Sequence, residues 1–575
     1  MHNERNVAEA IWYTCFNVPD KTKDNAKARK DLADICNRPS QHLKMKTNGK
    51  WDRPRAPFCI SKDDKPKILK WFQELKFPDG YAANIRRGVN LLQRKILGLK
   101  SHDYHIFMER LLPVAFHGFL PHSIWLCLAE LSFLYRQLCA KELSKDTICS
   151  LEQQVVVLIC KLEKIFPPGF FNPMQHVIIH LPREARLGGP VQSRWNYPYE
   201  RSQARSIRNK IPRYDDGAAT FKSSCDLGIF QVPGRYMSPW GVHELPKEKY
   251  EAAFLYILTN MPEMDEFFEK FDKEHWKSRS RPRPDQLREL RLKGWKNSRG
   301  QHGPTFFEWF KEECLQNPTI DSALRELSFG FRRMVTSYGV YDVNGYIIRS
   351  EEYERTKPRL TTVNSGVCVP CIDENDNELD YYGIIKDIIK IKWQGHMQLE
   401  MVLFDCCWFD PTPDGTRRTP NLGLVEVKHS SRLAVFEPFV MASQVKQVYY
   451  LPYACSDKSD LKDWWVVYIM SPRNYIPAND ANDDPDPPNE ATEVIFYQED
   501  GLPGSFVINL GADLDNIVPI VSDEITNPVD LEFLAKVNTE AQDEDMDDLE
   551  SDGDGDGEDD HDDLLGYLPN DPDDF

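Results

Sequence analysis

Several groups of side chains have types and spacings that could do chemistry. His102 and His105 flank Asp103, and His176 and His180 stand four apart, the separation that sets two side chains on one face of a helix. Two imidazoles so placed could hold a divalent cation. Neither pair has a third ligand fixed by spacing, and a helical His is ordinarily a hydrogen-bonded core or surface residue. Asp103 could instead cap the helix that carries Phe107 and Leu111. Cys368 and Cys371, with Cys406 and Cys407, are thiols of the kind zinc takes, but the spacing is not that of a zinc ribbon and adjacent cysteines rarely both ligate. Buried or surface thiols are the better reading. Asp552, Asp554, Asp556, Gly557 and Asp563 follow a calcium-loop pattern with Asp in place of the bidentate Glu, in a low-complexity acidic segment that generates such matches readily. No metal and no cofactor is therefore expected.

Cations offer a second chemistry, the neutralisation of phosphate. The stretch 183–213 holds Arg183, Arg186, Arg194, Arg201, Arg205, Arg208, Lys210 and Arg213 against Glu184 and Glu200. The stretch 273–299 holds ten Lys or Arg, among them Lys277, Arg279, Arg281 and Arg283, against three acids, with Trp276 and Trp295 interleaved. Basic side chains release counterions from a phosphate backbone and aromatic rings can stack on bases, so these are the nucleic-acid candidates, against the plainer reading of a solvated face. Residues 279–284 also read as a weak nuclear-import signal. Trp393, Trp408, Phe409, Trp464, Trp465 and Tyr468 could line an aromatic cage, although aromatics alternating along strands more often form the core.

The elements that must position these groups fall into two kinds. SIWLCLAELSFLYRQLCAKEL, 123–143, carries Ile124, Leu128, Leu131 and Leu138 at helical spacing, with Ser123 as N-cap. SLEQQVVVLICKLEKIF, 150–166, repeats the pattern, with Ser150 and Gln153 in capping-box spacing and a Pro-Pro-Gly stop. Both are expected to be antiparallel helices of a bundle. From Val340 the chemistry turns to β: YYGIIKDIIKIKW, LEMVLFDCCWFD, LVEVKHSS and WWVVYIM are short β-branched or aromatic runs between turn residues, which suggests a small, partly closed barrel.

At 575 residues, 41% of them hydrophobic, the chain has material for two or three cores. The apolar run at 155–160 is closed by Lys161, far short of the roughly 18 residues a membrane helix needs, so no membrane is expected as partner. Cysteines scattered through apolar segments, such as Cys127, Cys139 and Cys160, are read as reduced thiols of a nuclear or cytoplasmic protein. Of the formal charge of −19, the 17 acidic residues of 541–575 account for nearly all, leaving a body close to neutral and a tail expected to be disordered.

Several blocks, in order along residues 1–475, resemble the transposases of plant En/Spm (CACTA) transposons. The opening, with His2, Glu4, Asn6 and Val7, is similar to that family's Asp-x-Met-His-x-Glu-Lys-Asn-Val, with Arg5 in place of Lys. LGLKSHDYH at 97–105 followed by RLLPVAFHGFLP, EKIFPP at 163–168, and REARLGGPVQSRWNYPYER at 183–201 are similar to further blocks, as are NGYIIRS, VNSGV, YYGIIKDI, VLFDCCWFD and PFVMASQVKQVYYLP. The resemblance implies two accessory domains of unknown function that accompany an RNase H-like catalytic core, in which three acids hold two divalent metals. It places the third acid at Glu200 and the two Asp residues upstream of Met1, so strand cleavage by this chain alone is not expected. The plainer reading of Glu200 is an ion pair with Arg201 or Arg205. After Glu200 the sequence departs from the family pattern, being shorter and poorer in apolar spacing.

The expected protein is α+β: a mainly helical N-terminal part, a small barrel-like β domain and an acidic tail. Its segments are a core remnant with connecting helices (1–100), a helical transposase-associated domain (101–215), a basic helical connection (216–335), a small β-rich domain (336–477), a linker with short strands (478–540) and the tail (541–575). The expected function is that of a truncated transposase-like protein retaining DNA or partner binding, with other transposon-encoded or nuclear proteins as further partners. The alternative is a nuclear protein-interaction module that uses the β domain.

Overall fold

A computed structural model describes residues 2–472, except 48–50, 80, 82–84, 93, 94, 97, 192–226, 231–233, 279, 297–299, 372–378 and 456. The fold is α+β, as expected. Glu200, the segment 478–540 and the acidic tail lie outside the described residues, and so does the calcium-loop pattern within that tail.

The N-terminal helices are α1 (His2–Cys15), α2 (Ala26–Ile35), α3 (Lys65–Glu74), α4 (Ser101–Ile106), α5 (Leu112–Phe116), α6 (His122–Leu138), α7 (Lys145–Ile165), α8 (Pro173–Val177) and α9 (Leu181–Gly188). The two long helices depart from expectation at their ends. Helix α6 starts one residue before the Ser123 cap proposed for it, because extended Pro121 already offers its carbonyl to the amides of Ile124 and Trp125 at 3.0 Å each. It stops at Leu138 rather than running to Leu143. Helix α7 starts well before Ser150, at a better cap: Ser144 Oγ accepts the Thr147 amide at 3.0 Å and Asp146 complements the first turn. Ser150 is instead inside the helix, where its hydroxyl accepts from Gln154 Nε2 at 2.8 Å. The buried face of α7 is Ile148, Leu151, Val155, Leu158, Ile159 and Leu162, the helical period that the sequence showed.

A second helical group follows, α10 (Lys247–Thr259), α11 (Asp265–His275), α12 (Pro284–Lys293), α13 (Phe306–Gln316) and α14 (Ser322–Ser328). The connection 216–335 is therefore largely helical where described, but it also contributes a strand, Arg235–Glu244.

That strand, β1, belongs to an 11-stranded sheet with β2 (Met334–Val343), β3 (Tyr346–Arg349), β4 (Gly366–Val369), β5 (Tyr381–Lys392), β6 (Glu400–Trp408), β7 (Thr416–Thr419), β8 (Leu424–Lys428), β9 (Phe439–Met441), β10 (Lys446–Pro452) and β11 (Trp464–Ile469). The order is β7-β8-β11-β10-β4-β5-β6-β9, with β2 pairing β1, β3 and β5. The expected small barrel is thus a much larger sheet, and among the described strands no pairing joins β7 to β9. Central strand β5 pairs β6 along one side and shares its other side between β4 and β2.

Alternation along β5 and β6 decides where the cores lie. Ile388, Val402 and Phe404 point into the core shared with the N-terminal helices, while Ile389, Ile391, Met401 and Leu403 point into the core of α10–α14. Helices cover both faces, which is why these strands read as nearly continuous apolar runs. Asp405 stands opposite Asp387 as the last pair before a bulge that shifts Cys406 to Ile385, and the like charges are relieved by separate partners: Lys249 pairs Asp405, and Ser337 Oγ donates to Asp387 at 2.8 Å.

Candidate functional site

The N-terminal bundle buries a cluster that could bind a cation. Glu4 comes from the first turn of α1, His105 from α4, Glu109 from the π-helical turn Phe107–Leu111 that joins α4 to α5, and Cys139 from the residue that closes α6. Asp103 starts this arrangement by capping α4, its Oδ2 accepting the Lys100 amide at 2.9 Å. A wide turn then bonds the Leu112 amide to the Phe107 carbonyl, a geometry often found at functional positions. His105 Nδ1 lies 2.9 Å from Glu4 Oε1, His105 Nε2 lies 3.5 Å from Glu109 Oε2, and Cys139 Sγ lies 3.8 Å from Glu4 Oε1. One donor atom from each of the four residues falls within 4.8 Å of the others, and all four residues are buried.

Burial works to raise the pKa of Glu4, but the hydrogen bond and charge of His105 outweigh it, so the carboxyl lies below its ordinary value. His105 is raised: burial opposes its charge, and Glu4 and Glu109 together prevail. Glu109 is raised because its burial exceeds what His105 and Arg110 return. Burial, with the two carboxylates, pushes the Cys139 thiol well up. Cys139 is close enough to counter the rise at Glu109 slightly, yet Glu109 Oε1 is buried without a hydrogen bond of ordinary geometry. The next residue ties the cluster to the sheet: Arg110 packs over Tyr468 at 4.8 Å, and the Tyr468 hydroxyl donates to the Arg110 carbonyl at 2.8 Å.

The sequence pairs behave differently. His102 and His105 do not share a site, since His102 Nε2 lies 2.7 Å from the Tyr81 carbonyl. His176 and His180 do meet, Nε2 to Nε2 at 3.1 Å, on the surface, and they gather no third ligand among the described residues. Cys368 and Cys406 are buried in the sheet, Cys371 and Cys407 are partly so, and no metal-like group forms around them among the described residues. Trp393, Trp408, Phe409, Trp464 and Tyr468 are all buried as sheet core, and Trp465 packs against it, so they form no open cage.

Of the cationic candidates, Arg194, Arg201, Arg205, Arg208 and Arg279 lie outside the described residues. Arg183 and Arg186 stand exposed on α9, with Arg186 bonded to Glu152 at 3.0 Å. Lys277, Arg281 and Arg283 are exposed beside α11 and α12. Arg283 pairs Asp285 at 3.1 Å, and neighbouring Arg288 and Arg291 are held by Glu437 and Asp272 at 2.8 and 2.5 Å. Trp276 and Trp295 pack edge to face at 5.2 Å against the second core, an arrangement that does not present their faces to bases. The structure therefore brings Lys277, Arg281 and Arg283 onto one exposed stretch and leaves few of their neighbours unpaired.

Sequence reasoning missed Glu109 and Cys139 as ligand candidates and took Glu4 only as part of a family block. The (i, i+4) spacing of His105 and Glu109 was the available local signal.

Two domains of unknown function are found in the chain. The model described as domain of unknown function DUF4218 matches residues 138–214, and that described as domain of unknown function DUF4216 matches residues 389–467. Both are commonly found in plant transposase-like proteins. The first covers the end of α6 through α9, and the second covers the sheet from β5 to β11. No curated protein and no solved structure matches the chain.

Proposed function

We propose that the chain is a CACTA transposase-like nuclear protein that binds DNA, or another protein of the same assembly. The presence of both domains in one chain, on either side of the basic connection, carries this reading. Arg183 on α9 and the exposed Lys277, Arg281 and Arg283 are the phosphate contacts, with Arg194, Arg201, Arg205, Arg208 and Arg279 expected to join them. The tail competes with DNA for these cations.

The test is binding of the full chain, and of a chain ending before Ala541, to double-stranded DNA across a salt series. Affinity should fall steeply with salt and rise when the tail is removed. Arg281→Glu should weaken binding to all sequences alike and lower the salt slope by about one. Absence of binding by either form at low salt would contradict the DNA reading. A second reading, a protein-interaction module of the sheet region, is favoured by a cleft lined by Trp71, Glu74, Lys76, Arg355, Tyr450 and Trp465. Peptide binding without DNA binding would support it.

A further inference from the structure

We infer that Glu4, His105, Glu109 and Cys139 form a buried site for one zinc-type divalent ion that clamps the first helix onto the bundle. The inference is independent of whether the protein binds DNA.

Distance is the first ground. A tetrahedral zinc ion with bonds of about 2.0–2.3 Å sets its ligand atoms roughly 3.3–3.8 Å apart. With one donor atom taken from each residue, the four atoms lie within 4.8 Å of one another, so side-chain rotations of about an ångström would draw them onto that edge around one nitrogen of His105. Binding trades the contact between His105 and Glu4 for coordination.

Donor chemistry is the second. One imidazole, one thiol and two carboxylates suit a borderline ion such as zinc, whereas magnesium and calcium take six or more oxygens and usually retain water. Four protein donors also fill a tetrahedral shell, the mark of a structural rather than catalytic zinc site.

The third ground is Glu109 Oε1, an acceptor on a residue only 5% exposed that has no hydrogen bond of ordinary geometry. Buried acceptors are nearly always satisfied, and here the neighbouring donor is the Cys139 thiol, a weak one that an ion would replace. Its backbone is held for the purpose: the π-helical turn carries Glu109, and Ser132 Oγ donates to the Glu109 carbonyl at 3.0 Å.

Cobalt(II) is the probe, added to the purified full chain after chelation. The expected result is one cobalt per chain, with the visible bands of a tetrahedral centre and a near-ultraviolet thiolate-to-cobalt transition. Cys139→Ser should keep the fold by circular dichroism and lose the near-ultraviolet transition. Glu109→Gln, nearly isosteric, should weaken binding by at least the roughly tenfold that loss of even an outer partner costs. It also provides the test if the Cys139 variant does not fold. His176→Ala with His180→Ala should change neither. Absence of tetrahedral bands, their persistence unchanged in Cys139→Ser and Glu109→Gln, or their loss in the His176/His180 variant would overturn the assignment.

Discussion

The N-terminal bundle buries ionic groups in two places, and they are built differently. Within α2, Arg29 is fully buried and four of the five N–H donors of its guanidinium are answered: it pairs both oxygens of Asp24, one of them at 2.9 Å, and donates to the carbonyls of Gln41 and Pro54. Between α1 and α6 the cluster of Glu4, His105, Glu109 and Cys139 sets two carboxylates around one imidazole and leaves a carboxylate oxygen without a hydrogen bond. A complete bidentate pair fixes geometry and has no capacity for another partner. An incomplete one is the kind of arrangement that a ligand completes. Burial of charge alone therefore does not mark a site, nor does a lone unanswered atom such as Gln41 Oε1; an unanswered carboxylate oxygen gathered with three other donor residues does.

The largest expected effect breaks the first group. Arg29→Met should cost about 3–5 kcal/mol in chemical denaturation, because it strands the Asp24 carboxylate in the interior. Adding Asp24→Asn should recover much of that loss. Recovery would show that the cost lay in the stranded charge rather than in lost packing.

Acid gives an intermediate effect through a third way of burying an ionisable group, as the neutral form. His117 packs edge-on against Trp125 at 4.0 Å, and burial, with smaller contributions from His122 and Lys458, lowers its pKa to about 4. A His depressed in the folded state contributes stability that is present above its unfolded pKa of 6.5 and lost as pH falls through 4. The loss between those limits should be about 1–2 kcal/mol after allowance for partial exposure. His117→Leu should flatten denaturation midpoints over that window, and an unchanged profile would sink the assignment.

The smallest effect belongs to the open cluster. Glu109→Gln without added metal should change stability by about 1 kcal/mol or less, since Oε1 has no hydrogen bond of ordinary geometry to lose and burial already opposes the charge. A loss as large as that of Arg29→Met would mean that the two groups are built alike after all.

Much of this architecture is legible in the sequence. The apolar periods of α6 and α7 and the β-branched runs of β5, β6, β8 and β11 appear where the residues place them. What was not legible has physical reasons. The start of α7 turned on which of two serines caps it, and local pattern ranks Ser150 as readily as Ser144. Strand β1, RYMSPWGVHE, is mostly exposed, carries Pro239, and shifts register between Pro239 and Gly241, so it lacks the alternating apolar signal of an interior strand. The size of the sheet follows from pairings between distant segments, β1 with β2 and β2 with β5, which spacing does not encode. The buried cluster was hidden for the same reason: Glu4 and His105 are 101 residues apart, and Cys139 is 135 from Glu4. Only His105 and Glu109 are near enough in sequence to suggest each other.

The most direct test is the thermal midpoint of the full chain, after chelation, with and without one equivalent of zinc, in the natural sequence, in Glu109→Gln and in Arg29→Lys. The midpoint should rise with zinc in the natural sequence and in Arg29→Lys, and rise clearly less in Glu109→Gln. A rise of equal size in all three, or no rise in any, would contradict the claim that the unanswered carboxylate oxygen marks the site.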